Sequence, residues 1–88
     1  MHKGNIMKKE IIVKTTSVYE PRALAELVGL ANNYSSRVML IMENRQINAK
    51  SIMGIMGLGL DVDKALTIEA EGADETEAIL AIENFLTK

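Results

Sequence analysis

The sequence predicts an α+β fold: an open-faced sandwich in which three helices cover one face of a four-stranded antiparallel sheet, in the order βαββαβα. Three observations lead there. Apolar residues alternate with period two in three separate stretches, and they recur at i, i+3, i+4 in two others. The connection between the second and third strands is a two-residue turn that only an antiparallel pair allows. Three helices are too few to cover both faces of a sheet, so all of them gather on one.

Each element follows from its residues in turn. Met7–Lys14 alternates, with Met7, Lys9, Ile11 and Val13 on one face and Lys8, Glu10, Ile12 and Lys14 on the other, as a strand does. Thr15–Tyr19 reads as a polar connection leading to Pro21, which fits the first turn of a helix, where a missing N–H costs nothing. Leu24, Leu27, Val28 and Ala31 then form the stripe of an amphipathic helix, closed by Asn32 and Asn33. Arg37–Met42 is a second strand, with Val38, Leu40 and Met42 opposed to Met39 and Ile41. Glu43-Asn44 makes the turn, Asn44 being the residue suited to positive φ, and Arg45–Ala49 returns as the third strand. Ser51 caps a short helix, Ile52–Met56, which Gly57 and Gly59 end. In the fourth strand Leu66, Ile68 and Ala70 oppose Thr67 and Glu69. Asp74, followed three residues later by Glu77, is a capping box with Asp in place of Ser or Thr, and Ile79, Ile82 and Leu86 stripe the last helix.

Eighty-eight residues form one domain, Met7–Lys88, behind a leading tail, Met1–Ile6, that shows no periodicity and is expected to be flexible. With no cysteine and a single histidine, His2, in that tail, neither a zinc site nor a catalytic dyad can be assembled, and no metal or cofactor is expected. A net charge of −2 without a Lys/Arg cluster argues against nucleic acid. No apolar run approaches the roughly 20 residues of a membrane span, and no signal peptide is evident, so the expected location is cytoplasmic. Ile12, Met39 and Ile41 fall on the sheet face that no helix covers and point to self-association, a possible homodimer.

Two segments carry a family likeness. The run Asn48–Gly59, NAKSIMGIMGLG, resembles the regulatory-serine segment of the HPr (phosphocarrier) family, and Gly72–Glu75, GADE, resembles the opening of that family's last helix at the matching distance. Tyr34 and the strand order agree, so the likeness spans nearly all of the chain from Met7 onward. It implies the bacterial sugar phosphotransferase system, whose small carriers relay phosphoryl groups on a histidine and report carbon status through a phosphoserine.

At the start of the first helix this chain departs from the family. Carriers present Gly-(Ile/Leu)-His-Ala-Arg-Pro-Ala there; the aligned stretch here is Val18–Leu24, VYEPRAL. Glu20 stands in the histidine's place, Arg22 is kept, and the proline has moved to Pro21. Where carriers often place basic residues on the exposed face of that helix, this chain has Gly29 and Asn32. Relatives of the Crh type, which replace the histidine and keep the serine, are the nearest functional analogue.

By itself Ser51 is an N-cap worth about 1 kcal/mol; the resemblance makes it a phosphorylation site. By the same resemblance Ile52, Met53 and Met56 form the docking surface, while Ile55 reads as core, and Arg22 becomes an anion ligand. Glu20 reads either as a mimic of a phosphorylated carrier or as drift at a position where helix-end charge is favoured. The implied protein is not an enzyme but a regulatory module, phosphorylated by an HPr kinase/phosphatase and docking a catabolite-control transcription factor. Two further readings stand beside it: a phosphocarrier with a non-histidine acceptor, and a decoy or scaffold that is never modified.

Overall fold

A computed structural model describes residues 6–88; His2 and the rest of the leading tail up to Asn5 lie outside the described residues. Strands β1 (Met7–Ile12), β2 (Arg37–Met42), β3 (Arg45–Asn48) and β4 (Ala65–Glu71) form one sheet in the order β1-β4-β2-β3, every neighbour antiparallel. Helices α1 (Pro21–Asn32), α2 (Ile52–Leu58) and α3 (Glu75–Thr87) pack on one face of it. α3 lies over β4 and β1, α2 lies against β3, and α1 touches both other helices. The sandwich and its element order are as the sequence predicts.

The alternation in β2 explains why the core sits where it does. Val38, Leu40 and Met42 are buried under the helices, and the neighbouring strands add Ile11, Leu66, Ile68 and Ala70. From above, the helices contribute Leu24, Leu27 and Ala31 of α1, Ile55 and Leu58 of α2, and Ile79, Ile82 and Leu86 of α3. With few aromatics in the chain, these aliphatic side chains make up most of the core.

The structure amends four local expectations. Thr16–Tyr19 is a 3-10 helix rather than an irregular connection, opened by Thr15, whose hydroxyl accepts from the Ser17 N–H at 3.2 Å. In the β2–β3 turn it is Glu43, not Asn44, that takes positive φ, at 58°. Gly57 does not end the short helix: α2 runs through it to Leu58 and stops at Gly59 in the left-handed region, φ 78°. The predicted capping box does not form. Asp74 sits at the N-cap of α3 without a side-chain cap bond, and Glu75 instead reaches back to accept the Gly72 N–H at 3.0 Å.

Ile12, Met39 and Ile41 do fall on the uncovered face but not side by side. The register sets Met39 in a row with Asn48, Glu69 and Lys8, and Ile41 in a row with Gln46, Thr67 and Glu10. Ile12 lies a further row away, opposite Ala65. Polar and charged side chains therefore interrupt the apolar group, with Glu69 only 7% exposed and paired to Lys8 at 3.6 Å.

Candidate functional site

The segment leading into α2 is held from three directions. The Asn48 side chain accepts from the Lys50 N–H at 2.8 Å, and the Asn48 carbonyl accepts from the Ser51 N–H at 3.0 Å, so the chain turns tightly out of β3. Lys50 Nζ donates to the Tyr34 carbonyl at 2.7 Å, and Asn32 Nδ2 donates to the Lys50 carbonyl at 3.4 Å. The approach to Ser51 is thereby pinned to the C-terminal end of α1. Ser51 then has the extended backbone of an N-cap, φ −110° and ψ 118°, and its Oγ accepts from the Gly54 N–H at 3.1 Å.

α2 is closed with equal care. Arg45, from β3, donates through Nη1 to the Gly57 carbonyl at 3.1 Å, satisfying one of the carbonyls a helix leaves free at its end. Gly54 packs closely on β3: a Cβ there would stand 3.3 Å from the Ile47 Cβ, a tight contact. Anchored in this way, the helix buries Ile55 at 1% exposure together with Leu58, and turns Ile52 (36% exposed), Met53 (78%) and Met56 (48%) to solvent. The expected division between core and surface on this helix is present: one inward stripe, and three exposed apolar side chains in the turns that follow Ser51.

Glu20 and Arg22 occupy the other end of α1, whose twelve residues rise about 18 Å. Glu20 joins the 3-10 helix to α1 as its N-cap residue, without a side-chain cap bond, and Pro21 follows in the first turn. Both Glu20 and Arg22 are exposed. Among the described residues no ion pair links them, and the hydrogen bonds of Ser51 go to Asn48, Gly54 and Ile55 and to neither of them. The neighbouring residue, Tyr19, is tied down: its hydroxyl donates to Asp61 and accepts from the Val62 N–H at 3.2 Å, fastening the Glu20 segment to the loop after α2. The hydrogen bond to Asp61 raises the phenol above its ordinary range.

Asn48, Lys50, Tyr19 and Asp61 are positioning residues that the sequence did not single out. For Asn48 a signal exists, since an Asn side chain commonly bonds the backbone two residues on and so forms a turn, as it does here with Lys50. For Tyr19 and Asp61, 42 residues apart, nothing local announces the contact.

Compared with known proteins, residues 7–88 match the family described as the PTS HPr component phosphorylation site. The HPr-like protein Crh of Halalkalibacterium halodurans is 34% identical over 83 residues, which cover 94% of this chain and 99% of that protein. Among solved structures, the phosphocarrier protein HPr of Bacillus anthracis is similar with a TM-score of 0.87 and 31% identity, covering 92% of this chain and 96% of that one. Crh of Bacillus subtilis, in a domain-swapped dimer, is similar with a TM-score of 0.71 and 32% identity, covering 85% and 82%. The fold, the capped serine and these likenesses converge: the chain belongs to the HPr family of the phosphotransferase system and is Crh-like within it.

Proposed function

We propose that this chain is a regulatory docking protein of carbon catabolite control, switched by phosphorylation of Ser51 and not engaged in histidine phosphoryl transfer. The observation that carries the reading is the arrangement at α2: a serine hydroxyl at the helix N-cap, followed by exposed Ile52, Met53 and Met56. An HPr kinase/phosphatase is the modifying enzyme, and a catabolite-control transcription factor is the partner. Phosphate on Ser51 adds nearly two negative charges and three acceptor oxygens beside an apolar patch. A partner carrying Arg or Lys next to an apolar groove then meets both features at once. Methionine suits such a surface because its unbranched thioether repacks against differently shaped partners.

The test is a titration of the Ser51-phosphorylated protein onto an immobilised catabolite-control transcription factor. Binding should need the phosphate, and Ser51→Ala should fold and fail to bind. Equal binding with and without phosphate overturns the switch.

The chain's only histidine lies in the tail, while Glu20 holds the carrier position, which supports excluding the carrier reading. Phosphoenolpyruvate-driven donor enzyme is accordingly expected to leave no phosphate on the protein; phosphate that Glu20→Ala abolishes would instead establish the non-histidine carrier. Self-association belongs to the same proposal. Polar rows break up the open face, so we place it at the exposed β1 edge, by exchange of that strand between two copies.

A further inference from the structure

Met53 and Met56 differ from the chain's other described methionines in more than exposure. Met42 is 4% exposed in the core, and Met39 is half-buried between the strands that flank it. Met7 is half-buried too, and its sulfur accepts a hydrogen bond from the Thr76 hydroxyl at 3.2 Å. Met53 and Met56, by contrast, are 78% and 48% exposed, and each precedes a glycine, so no side chain from the next residue shields the sulfur. Beside Met56 the space is open: nothing lies within 4 Å of where a Cβ on Gly57 would sit. No charged residue occurs between Lys50 and Asp61, so a new dipole on this surface would find no charged side chain of its own helix to pair with.

We propose that Met53 and Met56 are a reversible oxidation site through which peroxide switches off recognition at α2; the switching half rests on the docking reading above. The thioether sulfur attacks one oxygen of hydrogen peroxide, the O–O bond breaks, an S–O bond forms, and water leaves after proton transfer. The sulfur is oxidised by two electrons and the peroxide is reduced by two. Methionine sulfoxide reductases, using thiols as reductant, reverse the step and release the oxygen as water. The product is a polar, chiral group where an apolar, flexible one had been. Since both side chains point to solvent, the fold stays intact while the patch loses the property that suits it to docking.

The test uses the full chain and hydrogen peroxide, with peptide mapping by mass. Sulfoxide is expected first at Met53 and next at Met56, ahead of Met7, Met39 and Met42, with an unchanged circular dichroism spectrum and full reversal by the two epimer-specific reductases. The rate at which an HPr kinase with ATP phosphorylates Ser51 is expected to fall about tenfold on oxidation and to recover on reduction. The Met53→Leu/Met56→Leu double variant keeps the patch apolar and is expected to be phosphorylated at one rate before and after peroxide. Early sulfoxide at Met39 or Met42, or an unchanged rate with both sulfoxides in place, overturns the inference and leaves the docking reading standing. No phosphorylation of the unoxidised chain overturns the docking reading and the switch built on it, while the map decides the oxidation site by itself.

Discussion

The carboxylate of Asp74 accepts hydrogen bonds from the Ser35 and Ser36 N–H groups, each at 2.9 Å, and from the Ser36 hydroxyl at 2.5 Å. The Ser36 hydroxyl and these backbone donors favour the ionised form and hold its pKa down at about 2. The group is depressed in the folded state, so its stabilising contribution is fully present above the unfolded carboxylate value of about 3.9 and is lost as pH falls through about 2. Asp74→Asn should be less stable than wild type at neutral pH, and the gap in urea midpoint should narrow between pH 4 and pH 2. A gap that stays constant over that range would show that the charge is irrelevant. Next to it, Gly72 is required by contact as well as by its φ of 153°: a Cβ would stand 2.7 Å from the Ser36 Cα. Gly72→Ala should cost about 1–3 kcal/mol in thermal or urea unfolding. Little of this is legible in the sequence. Asp74 reads as a helix cap from its neighbours, and only the folded chain brings Ser36, 38 residues away, within reach. Glu43 likewise carries the positive φ that residue preferences assign to Asn44, in the two-residue turn that the Met42–Arg45 pairing leaves.

Among the elements, periodicity decides what could be foreseen. α1, α3 and the alternating strands repeat their apolar residues often enough to be recognised, whereas the four-residue 3-10 helix Thr16–Tyr19 offers no repeat and owes its form to the Thr15 cap and the Tyr19 anchor. α2 was legible as a helix but not in length. Arg45 and Gly59 set its end, and the arginine arrives from another strand. The exposed side of α2 is where sequence and structure meet most directly, with Ile52, Met53 and Met56 outward and Ile55 inward. On the proposed docking role, this division separates function from stability. Met53→Asp should change unfolding free energy by no more than about 0.5 kcal/mol, as expected of a surface position. It should nonetheless abolish binding of the Ser51-phosphorylated protein to the transcription factor; normal binding by the variant would remove Met53 from the docking surface.

For the whole molecule, the sheet order leaves β1 and β3 as edges, and β1 is held by its ladder to β4 and by ion pairs of Lys8 with Glu69 and Lys9 with Glu83. Exchange of β1 between copies would remake each of these contacts in the partner, so a dimer formed this way should appear at high micromolar concentration and persist for hours after dilution. Pairing through the open face would dissociate at once on dilution and would be lost in a Met39→Lys/Ile41→Glu variant, whereas exchange would survive it. Size-exclusion chromatography of the isolated dimer after dilution separates the two. Among the described residues no helix is long and apolar enough to cross a membrane. On the proposed function, the switch is one hydroxyl, that of Ser51 at the cap of α2. Intact mass after incubation with a competent HPr kinase and ATP tests it most directly. One phosphoryl group should appear on wild type and none on Ser51→Ala; no addition to wild type, or equal addition to both, would contradict it.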